Sequence, residues 1–312
     1  MIKCRLLFFL VFLFLILTGC SSANEVFQES NDKNSSSNKP KDTDNEEFGI
    51  GLGFSDETSV DDTQTIHKFQ QGYNYTPEVL VENNFPETFN YRLFFFLDYK
   101  QIKVTKNKKE SSYINLKLGP KKSEKFHVNL PHVKEGLHDL VVIAIRDPDN
   151  YLEKAQYVDS MEISLSRRVA LLVGDKSNIP ADIKFNTINS NIPVNDDVYT
   201  EPFISLTEKS ANAESLIPYK NIQKSRLNMG ASAANKKIAI IAFSNTKQIP
   251  VNNPFIIVRK KGDFNFVLTN KHYLENKKQN LYTTVIEDPY TTDVKKLNLF
   301  NVKLTNLISI EK

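Results

Sequence analysis

The sequence predicts an all-β protein: two β-sandwich domains behind a disordered tether. Three observations carry this. From Ile66 onward, short runs alternating apolar and polar residues recur, separated by Gly, Pro, Asn and Asp. No βαβ alternation and no long amphipathic helix breaks the series. Residues 21–47 are rich in Ser, Asn, Asp, Glu and Lys and nearly free of aliphatic side chains, so they bury too little to offset their ordering entropy.

The chain opens MIKCRLLFFLVFLFLILTGC. Lys3 and Arg5 precede twelve consecutive apolar residues, Leu6 to Leu17. A membrane-spanning helix needs about 20, whereas the apolar stretch of a secretory signal peptide runs about 7–15. Residues 1–19 are therefore expected to be a signal peptide. Leu17-Thr18-Gly19-Cys20 resembles the lipobox of bacterial lipoproteins. That resemblance implies a Cys20 thioether to a diacylglyceryl group with palmitate-type chains, and cleavage that leaves Cys20 as the N-terminus. It also implies a lipid-anchored position on the extracytoplasmic face of the bacterial cell membrane. One acyl chain holds a protein only marginally, and two hold it stably, at about 0.8 kcal/mol per buried methylene. Cys4 leaves with the leader, so the mature chain has one acylated cysteine and no disulfide. Its folded part must rest on its hydrophobic core.

Residues 20–65 are expected to form the lipidated cysteine and a disordered tether, with "GIGLGFSDETSVDD" (49–62) as an irregular arm. A flexible coil over residues 21–47 reaches about 30 Å root-mean-square. The whole chain carries 40 basic and 37 acidic residues. Two bases lie in the leader, and three bases and 11 acids in residues 21–65. Residues 66–312 thus hold 35 bases and 26 acids, a net +9, behind an acidic segment of −8. A basic body is drawn to anionic polymers.

The first sandwich is expected over 66–166. In "NYRLFFFLDYK", Tyr91, Leu93, Phe95, Leu97 and Tyr99 fall on one face and Phe94 and Phe96 on the other. Apolar character on both faces marks a central strand or one covered by a neighbouring layer. "SYINLKL", "EKFHVNL", "LHDLVVIAI" and "YVDSMEISL" continue the strands. Gly119-Pro120, Glu135-Gly136 and Asp147-Pro148-Asp149-Asn150 mark the turns. The order in residues 76–147 resembles an immunoglobulin-like sandwich, with His138 of "LHDL" standing where such domains often carry a tyrosine.

The second sandwich is expected over 167–312. Its strands are read at Val169–Val173, 183–186, 203–206, 238–243, 255–258, 264–268, 282–286 and 297–307. Residues 188–235 are the least patterned, and "NMGASAAN" reads as a mobile loop of small residues.

Catalytic motifs are sparse. There is no Gly-x-Ser-x-Gly, and both Ser-x-x-Lys matches, at Ser30 and Ser36, lie in the tether without a Lys-Thr-Gly partner. His127, His132 and His138 could form a three-nitrogen zinc site if their strands were adjacent. Against this, Phe126, Val128 and Leu130 claim the inward face and turn His127 outward. Asp147, Asp149 and Asn150 lack EF-hand spacing. "VGDKS" lacks the glycines and the Gly-Lys pair of a phosphate-binding loop. Lys108-Lys109, Lys121-Lys122 and Arg259-Lys260-Lys261 sit at strand ends. They read as solvated, edge-protecting turns or as a surface for an anionic wall polymer.

The expectation is a lipid-anchored, non-enzymatic binding or structural module. Its partner would be an envelope protein or an anionic wall polymer, with no cofactor and no nucleic acid. Two alternatives remain: a solute-binding lipoprotein of a transporter, and a metal-dependent enzyme built on His127, His132 and His138.

Overall fold

The computed structural model describes residues 48–154, 156–189, 201–206, 215–269, 271–275, 277–297 and 301–311. The leader, Cys20 and residues 21–47 lie outside the described residues. Strands make up 51% of the structure and helix 6%. The all-β class read from the alternation is what the chain adopts.

The first half contains β1 (Ile50–Ser55), β2 (Ile66–Phe69), β3 (Glu78–Asn83), β4 (Phe89–Leu97), β5 (Lys100–Gln101) and β6 (Val104–Lys106). It continues with β7 (Lys109–Ser111), β8 (Tyr113–Leu118), β9 (Lys122–His127), β10 (Gly136–Arg146) and β11 (Ser164–Val173). The second half contains β12 (Asn186–Ile188), β13 (Phe203–Ser205), β14 (Leu216–Pro218), β15 (Arg226–Ala231), β16 (Lys236–Ser244) and β17 (Gln248–Ile249). After these come β18 (Phe255–Val258), β19 (Gly262–Val267), β20 (Gln279–Glu287), β21 (Val302–Leu304) and β22 (Ile308–Glu311).

These strands build four layers. A three-stranded sheet, β1-β3-β9, faces a sheet of order β2-β11-β10-β4-β5, with β8 also on β4. A larger sheet, β12-β18-β16-β20-β22-β14, carries β17 and β21 on its inner strands and faces a small sheet, β13-β15-β19. β6 and β7 form a separate hairpin.

Strict alternation explains three cores rather than two. On β4, Leu93 and Phe95 enter the first core with Val79, Val81 and Phe126 of the outer sheet. Phe94 and Phe96 point the opposite way, into a second core with Ala239, Ile241 and Phe243 of β16 and Ile286 of β20. On β16 the intervening Ile238, Ile240 and Ala242 enter a third core with Leu227, Met229 and Phe264 of the last sheet. The second core therefore joins the backs of the two sandwiches. The Phe243 ring lies 4.8 Å from Phe94, 5.5 Å from Phe96 and 5.3 Å from Tyr282. Each fully buried side chain of this size contributes roughly 1.5–3 kcal/mol.

Several expectations are corrected. Residues 50–55, expected in an irregular arm, form β1, paired with β3 from Ile50↔Asn83 to Ser55↔Glu78. Gly51 permits this pairing, because a Cβ there would stand 2.8 Å from Glu82 Cβ. "NMGASAAN" is not a loop throughout: Asn228 to Ala231 lie in β15, the middle strand of the last sheet, with Met229 and Ala231 buried. Small residues let the two neighbouring strands and the third core close around it. "YVDSMEISL" contains one helical turn, α1 (Ser160–Ile163), before β11 begins. The strand read at 183–186 lies at 186–188, and the one at 297–307 is reduced to β21 within its described part.

Tyr99 also changes face. Asp98 and Tyr99 have φ of 50° and 65°, the geometry of a two-residue turn between β4 and β5. The alternation stops at Leu97, and Tyr99 enters the second core. The position 166/167, where the two sandwiches were expected to divide, falls inside β11. That strand pairs with β10 from Gly136↔Val173 to Ile145↔Ser164.

Candidate functional site

A buried ion pair lies where the two sandwiches meet. Asp139 on β10 and Arg168 on β11 are neighbours in the same sheet, and both side chains are wholly out of solvent. Arg168 Nη2 donates to Asp139 Oδ2 at 2.8 Å. The guanidinium also crosses to the facing sheet, donating to the carbonyls of Glu287 (2.9 Å), the last residue of β20, and of Asp288 (2.8 Å) just after it. Asp139 Oδ2 accepts the Tyr290 amide at 2.7 Å and the Tyr99 hydroxyl. Burial, then the Asp139 charge, hold the Tyr99 phenol well above its ordinary pKa. Burial disfavours the Arg168 cation, but Asp139 more than offsets it and raises the pKa.

Two further polar clasps rim the second core. Arg92 on β4 forks onto Asp149, at 3.1 and 2.9 Å, and reaches the Asn245 carbonyl beyond β16 at 2.8 Å. Gln101 and Gln248 exchange backbone-amide bonds, Gln101 N to Gln248 Oε1 at 2.7 Å and Gln248 N to Gln101 Oε1 at 2.6 Å. Asp149 is thus matched to a guanidinium. Burial would raise its pKa, but the Arg92 and Asn245 hydrogen bonds lower it. The turn at 147–150 works as a latch: Asn280 Nδ2 donates to the Pro148 and Asn150 carbonyls at 3.0 and 2.8 Å.

The three histidines read as a zinc candidate are not brought together. No group of three metal-ligating side chains exists among the described residues. His127 is exposed on β9, with Nδ1 3.3 Å from the Thr76 carbonyl. His132 is exposed beyond the end of β9. His138 is buried on β10, with Nδ1 2.7 Å from Asp98 Oδ2 and Nε2 2.9 Å from the Lys134 carbonyl. Burial disfavours its cation, but Asp98 outweighs this and raises its pKa. Another buried histidine, His67 on β2, contacts the Tyr75 hydroxyl through Nδ1 at 2.9 Å. Burial lowers its pKa.

The basic candidates sit on solvent-facing turns of different sheets. Lys108 and Lys109 lie at the tip of the β6–β7 hairpin, where Asn107 and Lys108 have φ of 51° and 64°. Lys121 and Lys122 form the β8–β9 turn, and Lys121 Nζ lies 4.7 Å from the centre of the Phe48 ring. Arg259, Lys260 and Lys261 are exposed between β18 and β19. Cys20 lies outside the described residues.

Sequence reading missed Asp139, Arg168, Arg92 and the glutamine pair. The available signal was a charge set inside an apolar run: Asp139 within "LHDLVVIAI" and Arg168 within "SRRVALLV". Such charges must find partners when the strand is buried.

No protein-family model matches the chain, and no curated protein matches it. Among solved structures, it is similar to the CARDB domain of a Pyrococcus furiosus protein in complex with di-metal ions, at 16% identity and a TM-score of 0.24. That match covers 41% of this chain and 94% of the other. The E. coli chaperone DraB matches at 13% identity and a TM-score of 0.25, covering 85% and 98%. Red sea bream transglutaminase matches at 12% identity and a TM-score of 0.24, covering 84% of this chain but only 31% of that enzyme. Likenesses this distant identify no family and no activity.

Proposed function

We propose that the protein is a lipid-anchored surface protein on the extracytoplasmic face of a bacterial membrane. It works as a binding or structural module for an envelope partner, not as an enzyme. The anchor reading rests on the leader and on Leu17-Thr18-Gly19-Cys20. The module reading rests on one observation: Asp139, Arg168 and Arg92 are each engaged in joining sheets. Lysine-tipped turns face solvent instead. A braced four-layer β body with basic turns is suited to holding a partner against its surface. The +9 charge of residues 66–312 favours an anionic partner.

Two measurements test this. Intact mass of the chain extracted from membranes should show a start at Cys20 and a diacylglyceryl addition. Co-sedimentation of the same protein with purified cell wall should fall steeply between low and high salt. Salt-insensitive binding would direct the search to a protein partner instead. Hydrolysis of wall material by the purified protein would overturn the module reading.

A further inference from the structure

The end of the body that the chain enters from Cys20 carries a continuous aromatic and cationic surface. Phe48 is 59% exposed, and Lys121 Nζ lies over its ring. The next residue, Gly49, accepts the Asn84 amide at 3.0 Å. That contact ties the entry point to the loop between β3 and β4. In that loop the Phe85 carbonyl accepts the Lys121 amide at 3.1 Å. The Phe85 ring stands edge-on to Phe89 at 5.3 Å. Arg146, the last residue of β10, lies over both rings, at 4.4 and 4.6 Å. Lys122, Pro86 and Pro120 are exposed beside them. Four segments distant in sequence thus converge on one end: the chain entry, the 84–88 loop with the start of β4, the 119–122 turn and the end of β10.

We infer that this end docks on the anionic lipid face of the membrane that holds Cys20, with Phe48 at the headgroup boundary and Lys121, Lys122 and Arg146 reaching lipid phosphates. The inference rests on the acylation proposed above. Aromatic rings favour the headgroup boundary, and long cationic side chains reach phosphate while laying their stems on apolar surface. Cations near an anionic leaflet each add attraction, which salt screens. Only 27 residues separate Cys20 from Phe48. Even fully extended, that separation spans at most about 90–100 Å, so an acylated Cys20 keeps the patch near the leaflet. Two acids lie in the same segments. Glu87 is exposed in the 84–88 loop, and Asp147 follows Arg146 and accepts the Asn90 amide through Oδ1 at 3.1 Å. The tether is itself acidic, with seven acids and three lysines in residues 21–47. Attraction to an anionic face must therefore come from the three cations of the patch.

The test is hydrogen exchange on the full acylated chain in nanodiscs of phosphatidylglycerol or of phosphatidylcholine alone. Amides of residues 84–88 and 119–122 should exchange more slowly in the anionic discs. Lys121→Glu with Lys122→Glu should reduce the docked-to-free ratio at least tenfold, and Phe48→Ser should also weaken docking. Lys108→Glu with Lys109→Glu removes equal charge elsewhere and should leave the protection in place. Equal exchange in both discs overturns the inference. So does protection that moves to residues 107–109, or that appears only when wall polymer is added. Intact mass of the same sample reads acylation separately. If Cys20 is not acylated, coupling its thiol to a maleimide lipid in the same discs judges the patch alone.

Discussion

Arg168 and Asp139 meet at 2.8 Å with neither side chain exposed to solvent. Arg168 Nε and Asp139 Oδ1 have no hydrogen-bond partner among the described residues. An ion pair buried in this way gains little net energy, because desolving the charges offsets most of their attraction. Its contribution is geometric. Arg168 can satisfy its Nη atoms only when the Glu287 and Asp288 carbonyls of the facing sheet are in place, so it selects one way of stacking the two sandwiches.

Arg168→Ala should therefore cost about 3–5 kcal/mol, because it leaves Asp139 charged and buried. The double variant Asp139→Leu/Arg168→Met should recover part of that loss, since the buried charge is gone while the Tyr290 amide and the Tyr99 hydroxyl still lose their acceptor. Urea unfolding of the two variants makes the comparison, and equal losses would mean the pair contributes favourably in itself.

Phe243→Ala should cost about 3–5 kcal/mol, since its ring packs against Phe94, Phe96 and Tyr282 in the second core. Among the described residues, that core joins the two sandwiches through apolar contact. The variant should unfold with two separated transitions where the parent shows one, as read by calorimetry.

His138 and His67 should give the stability opposite pH dependences. The pKa of His138 is raised by Asp98 despite burial. Its contribution is complete below the ordinary histidine value of 6.5 and fades as pH rises through the raised folded value. The pKa of His67 is lowered by burial. Its neutral form is stable above 6.5, and stability falls as the pH drops below that value. His138→Gln should therefore destabilise more at pH 5.5 than at pH 8.5, and the loss at pH 5.5 is roughly 1.5–3 kcal/mol for a charged hydrogen bond. His67→Gln should flatten the fall on the acid side. Urea midpoints at the two pH values check both signs.

Gly136→Ala should destabilise by about 1–3 kcal/mol. Gly136 opens β10 with φ of 137°, and a Cβ there would stand 2.8 Å from the Asn178 carbonyl oxygen. Gly119→Ala, where a Cβ would only touch the Lys122 side chain at 3.6 Å, should be nearly neutral. The two Tm values separate backbone strain from a general effect of replacing glycine.

The class of the fold was legible in the sequence because alternation reports directly which side chains avoid water. "NYRLFFFLDYK" showed two apolar faces, and β4 is covered on both. The outward turn of His127 followed from its apolar neighbours, and the lysine pairs stand on exposed turns as their spacing suggested. Elements whose pattern was short or built from small residues were not legible. β1 resembled tether because Gly51 and Gly53 hide its period, and β15 resembled a loop because Gly230 and Ala231 carry little hydrophobic signal.

The sequence by itself determined that the body is β-rich, that its strands carry apolar residues toward more than one layer, and that the clusters Lys108-Lys109, Lys121-Lys122 and Arg259-Lys260-Lys261 stand at strand ends. Only the tertiary structure decided which layer covers which face. Period-two alternation says that a residue is hidden, but not by what. Leu97 and Tyr99 share a face in the pattern, yet the left-handed turn at Asp98 and Tyr99 sends the tyrosine to the opposite core. Asp139 and Arg168 are 29 residues apart, and nothing local marks them as partners. Their pairing follows from the β10–β11 register, and its purpose from a sheet more than a hundred residues away.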